Sequence, residues 1–295
     1  IVSNRDVASP FLTSIQENAV RPIEPVFLDF KKDMSQLTAK SDIPVLYKQN
    51  TTNDLFQLIY VFDMGNNNDK ALGTAFDYLE YLGTSDMTPE ELKSEFYRLA
   101  CTFYVSPGNE RTYVVLSGLN ENMPAAMQLF EKLLADAQVN KEAYNNLVGD
   151  ILKARADAKL NQGQNFSRLM NYAMYGPKSP ATNLLTEAEL ASMNPQELVD
   201  RIHNQNNYKH RILYYGPSSS KDLLATIDQY HQVPAALKDI PAGNKFSYLE
   251  TPATKVLVAP YEAKQIYMAQ ISNLDKKYDP AIEPTRELYN EYFGG

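Results

Sequence analysis

Residues 70–84, KALGTAFDYLEYLGT, set the apolar positions Leu72, Ala75, Phe76, Leu79 and Leu82 at helical spacing, which predicts a helix with one face in a core. Gly83 supplies its stop. Ahead of it, residues 43–50 (IPVLYKQN) and 55–65 (LFQLIYVFDMG) are β-rich, and the polar TTND between them predicts a hairpin. Thr88-Pro89-Glu90-Glu91 opens a second helix with a Thr cap, Pro at the first position and acids in the first turn. It turns Leu92, Phe96, Leu99 and Ala100 inward. Two strands follow around the turn Pro107-Gly108-Asn109. Helices are then expected over residues 121–137, 141–160, 165–175, 186–193 and 195–205. Thr186 and Glu189 make a capping box, and Asn194 caps the helix that starts at Pro195. A strand from His210 into Gly216-Pro217 and a helix over residues 220–231 complete the order.

That order is α+β, a mixed β-sheet covered by helices, and residues 41–233 read as one such subdomain. Residues 1–40, with Pro10, Pro22 and Pro25 and weak periodicity, read as an extended connector in which PVFLDF could add a strand. Residues 234–252 hold three prolines and read as a linker. Beyond it, ATKVLVAPY and KQIYMAQIS predict a fresh strand pair and RELYNEYFGG a helix, so residues 253–295 read as the truncated start of a second, similar subdomain. The chain starts without Met and without a signal-peptide pattern, which suggests a fragment or a processed product.

A length of 295 residues with 44% apolar content allows one large or two medium domains. The net charge is −8, and no basic run is interleaved with aromatics, so nucleic acid is not expected as a partner. No apolar run reaches membrane-spanning length. The single cysteine, Cys101, excludes an internal disulfide and a Cys-rich zinc site, and reads as a small buried residue. The three histidines, His203, His210 and His231, share no metal spacing and are assigned structural or surface roles. Patterns of serine hydrolases, phosphate loops and dinucleotide loops are absent. Twenty Tyr and no Trp suit a half-wet wall in contact with peptide, and equally an ordinary core edge.

Asp77, Glu80 and Tyr81 fall at i, i+3 and i+4 and form one patch, which by itself reads as the solvated acidic edge of an amphipathic helix. The run Asp77-Tyr78-Leu79-Glu80-Tyr81 followed by Gly83-Thr84 also resembles the signature helix of the pitrilysin and insulin-degrading-enzyme family of zinc metallopeptidases. Those enzymes carry His-x-x-Glu-His ahead of Gly-Thr. The two His hold zinc, and the Glu is the general base toward the metal-bound water. Here the Glu is kept, and Asp and Tyr replace the two His. The resemblance thus implies the fold of the family with a degenerate zinc motif and no metal on this helix. The element order, the YYGP ending of the last strand and NEYFGG, which is similar to the opening of a fourth subdomain, extend it along the chain.

What the resemblance implies is a non-catalytic segment of a two-half zinc metalloendopeptidase. The zinc would lie in the other, N-terminal half of a parent chain. This part would hold no cofactor and no catalytic residue, would be inactive alone, and would close the chamber and bind peptide. Some non-catalytic halves place an Arg and a Tyr near the substrate. Arg98 and Tyr104 are the nearest match, one residue short of that spacing, and on their own read as a surface helix residue and a strand residue. Asp150 stands near the place of the family's third zinc ligand, with no Glu between residues 143 and 160, and otherwise reads as part of a solvated helix face. The alternatives are a wholly non-catalytic scaffold or peptide-binding relative, and one subunit of a heterodimeric peptidase. An acidic chamber wall would favour basic peptides. The compartment is left open, and a bacterial periplasmic or cell-envelope parent is compatible with the sequence.

Overall fold

The alternating segments of the sequence become six strands in the computed structural model, which describes residues 8–18, 23–25, 27–273 and 278–294. The strands are β1 (Ser35–Ala39), β2 (Ile43–Gln49), β3 (Leu55–Phe62), β4 (Cys101–Pro107), β5 (Thr112–Leu119) and β6 (Arg211–Gly216). They form one mixed sheet in the order β1-β2-β6-β3-β5-β4. The helices are α1 (Pro10–Gln16), α2 (Phe30–Asp33), α3 (Leu72–Leu79), α4 (Pro89–Arg98), α5 (Met123–Asp136) and α6 (Lys141–Lys159). They continue with α7 (Gln162–Tyr175), α8 (Glu187–Ser192), α9 (Pro195–Asn204), α10 (Ser220–Tyr230) and α11 (Glu283–Gly294). The chain divides into two units, Ile1–Ser35 and Gln36–Gly295. Among the described residues, the first holds the two short helices α1 and α2.

Register shows why the sheet has one covered face. Val45, Ile212, Tyr60 and Val114 lie in one row across β2, β6, β3 and β5, and Tyr47, Tyr214, Leu58 and Leu116 lie in the next. All eight are buried, in one core with α3, α4, α5, α9 and α10. Side chains of successive strand residues point to opposite faces. The other face therefore carries Leu46, Leu213, Ile59, Val115 and Tyr104 in one row, with Tyr113 and Tyr215 in the flanking rows. That face is partly open, since Tyr104, Tyr113 and Tyr215 are exposed.

The predicted hairpin between β2 and β3 does not form. β6 enters between them, parallel to β2 and antiparallel to β3. The polar link turns over the end of β6 instead. The Asn50 backbone N–H donates to Gly216 O, and its side-chain oxygen accepts from Thr52 N and the Tyr215 hydroxyl. A four-residue link is long enough to step across one intervening strand, so its polarity alone does not choose between adjacency and a split pair. β1 is an edge strand inside the stretch expected to be a connector. PVFLDF forms no strand in its described residues, and its Val26, like Pro22 and residues 1–7, lies outside them.

The expected strands in residues 253–271 are also corrected, because these residues form no ladder. Val256, Val258, Ile266 and Met268 are exposed. A strand needs a partner, and a lone hairpin is marginal in water. The segment is instead tied at its base, where Thr251 N donates to Asn273 O, and along its length by Tyr261 to Leu160 O and Gln162 to Gln265 O. α11 forms as expected, with Leu288, Tyr289, Tyr292 and Phe293 exposed. The caps at Thr88, Thr186 and Asn194 form as the sequence predicts.

Candidate functional site

α3 is shorter than its apolar repeat suggests. It ends at Leu79, with Glu80 as C-cap and Tyr81 in the following turn. The five apolar positions are all buried, and Gly83 acts differently from expectation. A Cβ there would stand 2.3 Å from Met87 O, so Gly83 permits a close approach of backbone rather than capping the helix. Asp77, Glu80 and Tyr81 remain at the surface. Burial beside the packed helix and the Glu80 carboxylate hold the Asp77 carboxyl above its ordinary value. Between them in sequence, Tyr78 is fully buried. Its hydroxyl donates to Asn140 O at 2.6 Å and accepts from Asn140 N at 2.9 Å, which ties α3 to the start of α6.

Next to this helix end lies a groove of about 400 Å³. Phe76, Leu79 and Glu80 of α3, Lys93, Phe96 and Tyr97 of α4 and residues 101–105 of β4 line it. β4 is the edge of the sheet, so one side of its backbone has no strand partner among the described residues. Glu80 and Tyr104 therefore share one groove, while Asp77, Tyr81 and Arg98 are not part of its lining. Tyr104 is 50% exposed. Arg98 closes α4 and forms a two-bond pair with Glu95, at 2.8 and 2.5 Å. Asp150 stands exposed on α6. Cys101 is buried, and burial pushes its thiol pKa up, so it packs as a small core residue at the groove floor.

The histidines are not scattered. His203 faces Ala137 O, but His210 and His231, separated by 21 residues, meet Nε2 to Nε2 at 2.8 Å. His231 Nδ1 lies 2.6 Å from Glu131 Oε1, and all of this is buried. The sequence gives one faint sign of the cluster, a lone Glu131 in the apolar helix α5.

Zinc binding needs imidazole, thiolate or several carboxylates converging on one point. Asp77, Glu80 and Tyr81 offer two carboxyls and a phenol, with no histidine near, and do not fit the ion. Among the described residues no group of three or more His, Cys, Asp or Glu could hold a metal.

No protein-family model and no curated protein matches the sequence. Solved structures do. The periplasmic protease PqqL from Escherichia coli is similar with a TM-score of 0.65 and 14% identity, over 85% of this chain and 31% of that one. The peptidase M16 inactive domain from Pseudomonas fluorescens is similar with a TM-score of 0.59 and 16% identity, over 74% of this chain and 53% of that one. The fold is that of a pitrilysin-type (M16) peptidase domain. A structure of the ferredoxin protease FusC in complex with Arabidopsis ferredoxin adds a third pitrilysin-type neighbour, with a TM-score of 0.63 and 11% identity over 79% of this chain and 27% of that one. This chain thus spans about a third or less of the two proteases and about half of the inactive-domain structure.

Proposed function

We propose that this chain is a non-catalytic segment of a larger pitrilysin-type zinc endopeptidase. In this reading it holds an extended peptide and helps enclose it, while the metal and the hydrolysis belong to another half of the same protein. The observation that carries it is the end of α3: in a pitrilysin-type fold, two carboxyls and a phenol stand where two imidazoles and a glutamate would bind zinc. The groove beside that helix end supports a peptide as the ligand. Its floor is apolar, Tyr104 rises from it, and the free edge of β4 can pair with an extended backbone, which supplies affinity independent of sequence.

Metal analysis of this chain and of the longer protein containing it, side by side, tests the reading. The expected result is no zinc here and one zinc per chain there. Zinc in neither would replace the reading with that of a non-catalytic scaffold. Stoichiometric zinc in this chain alone would overturn it.

A further inference from the structure

Four parts of the fold meet at a buried line of hydrogen bonds remote from the groove. Glu131 of α5 is 1% exposed and accepts four bonds. Its Oε1 accepts from the Tyr60 hydroxyl of β3 at 3.0 Å and faces His231 Nδ1 at 2.6 Å. Its Oε2 accepts from Asn206 Nδ2 at 2.9 Å and Gln232 N at 3.0 Å. His231, the C-cap of α10, then meets His210 at 2.8 Å, and His210 Nδ1 lies 2.7 Å from Tyr208 O.

The two ends of this line settle where its protons are. A carbonyl only accepts, so His210 Nδ1 carries a proton. Two N–H groups cannot face each other at hydrogen-bond distance, so one proton lies between the two Nε2 atoms. Three further donors hold Glu131 as a carboxylate, so His231 is the donor on both sides and forms an ion pair with it. His210 is the neutral acceptor. A second proton on His210 would set N–H against N–H and cation against cation in a buried site, and the line must then part.

What would be freed is the segment after α10. Gln232 N is bonded to Glu131 itself. Lys238 N donates to Asn207 O and Lys209 N to Lys238 O, on the same loop that presents Tyr208 and His210. This corner also holds Gln205 Oε1 and Nε2 and Asn206 Oδ1 buried without a hydrogen-bond partner among the described residues, and opening would hydrate them.

We propose that the His210–His231–Glu131 line is an acid-sensitive latch, which holds residues 232–240 against the sheet and the end of α10 at neutral pH and lets them go when His210 gains a proton. The titratable groups that face His210 are Tyr60 from β3 and His231 from α10, with Glu131 from α5 behind His231. The neighbouring charges turn outward, Lys209 to Asp239 and Arg211 to Asp63. Burial first, and then the charge on His231, hold the His210 pKa down to about 4 from 6.5. The opened form takes up the proton more readily, so the latch is closed above pH 6.5 and weakens as pH falls toward 4. With these two values the opening constant rises about 20-fold between pH 7 and pH 5.

The test is amide hydrogen exchange at Gln232, Lys238 and Lys209 of the 295-residue chain from pH 7 to pH 5, corrected for intrinsic rates. His210→Gln, whose amide can donate to Tyr208 O and accept from His231 without titrating, is the companion. The latch predicts the 20-fold rise in the parent chain and a flat profile in the variant. A flat profile in the parent, or an equal slope in both, overturns it. If His210→Gln does not fold, imidazole ¹⁵N shifts of the parent decide. A His210 that titrates near 6.5 overturns the latch, and one that stays neutral with Nδ1 protonated down to pH 5 supports it.

Discussion

Tyr78 looks in the sequence like one more tyrosine on a helix face, yet it carries a hydroxyl into the core and satisfies it twice against one residue, Asn140. Tyr78→Phe keeps the ring and strands both partners. It is expected to lower stability by about 1 kcal/mol, read as a shift in urea midpoint at constant slope. Its neighbour Asp77 behaves in the opposite sense. Its folded pKa is raised, first by burial and then by Glu80, so the native state holds the proton longer than the unfolded chain. Stability contributed there is present at low pH and is lost as pH rises through the raised value. Asp77→Asn should therefore raise the melting temperature at pH 7 and leave it unchanged near pH 3. A larger gain at pH 3 would refute the assignment. Both residues lie in the pentapeptide that carries the family resemblance. Its polar positions were legible as a surface patch, whereas the burial of Tyr78 was not, because it depends on where α6 begins.

At the scale of elements, the helix starts were the most legible features. Thr88, Thr186 and Asn194 cap as their short-range chemistry requires, and a cap needs only residues within one turn. Helix ends were less so. Gly83 was readable as a stop signal, but the turn it serves is set by Met87 O pressing against its missing Cβ. Gly83→Ala should displace residues 83–88 and destabilise by roughly 1–3 kcal/mol, measured by chemical denaturation. A loss within a few tenths would show that the turn yields. Strand existence was legible from β-rich runs, but strand pairing was not. β2 and β3 are joined by a short polar link and still admit β6 between them, because β6 offers Ile212 and Tyr214 to the same buried rows. The β-rich stretch in residues 253–271 makes the complementary point. Composition alone, with no neighbouring ladder, leaves it as an exposed strap.

For the whole molecule, the sheet separates a sealed face from a half-open one, and the groove lies along the β4 edge between them and the helices α3 and α4. If an extended peptide pairs there, Tyr104 is its main side-chain contact. Tyr104→Ala is expected to weaken binding of a fluorescent extended peptide about 5- to 10-fold, about 1 kcal/mol or slightly more, with the melting temperature unchanged. Arg98→Ala should do little, since its guanidinium is already taken by Glu95 outside the groove. Equal losses for both would restore the Arg–Tyr pair that the family resemblance implies. Fluorescence anisotropy across both variants distinguishes the two outcomes.

The sequence by itself determined the α+β class, the helix starts, the apolar faces of α3 and α4, and the loss of both imidazoles from the α3 motif. Each of these is written in residues within a turn or two of one another, where period and capping chemistry act. The tertiary structure decided the insertion of β6, the groove under the β4 edge and the meeting of His210, His231 and Glu131. Those depend on partners as far apart as the 100 residues between His231 and Glu131. Such contacts are selected by the packing of the whole core rather than by any local propensity.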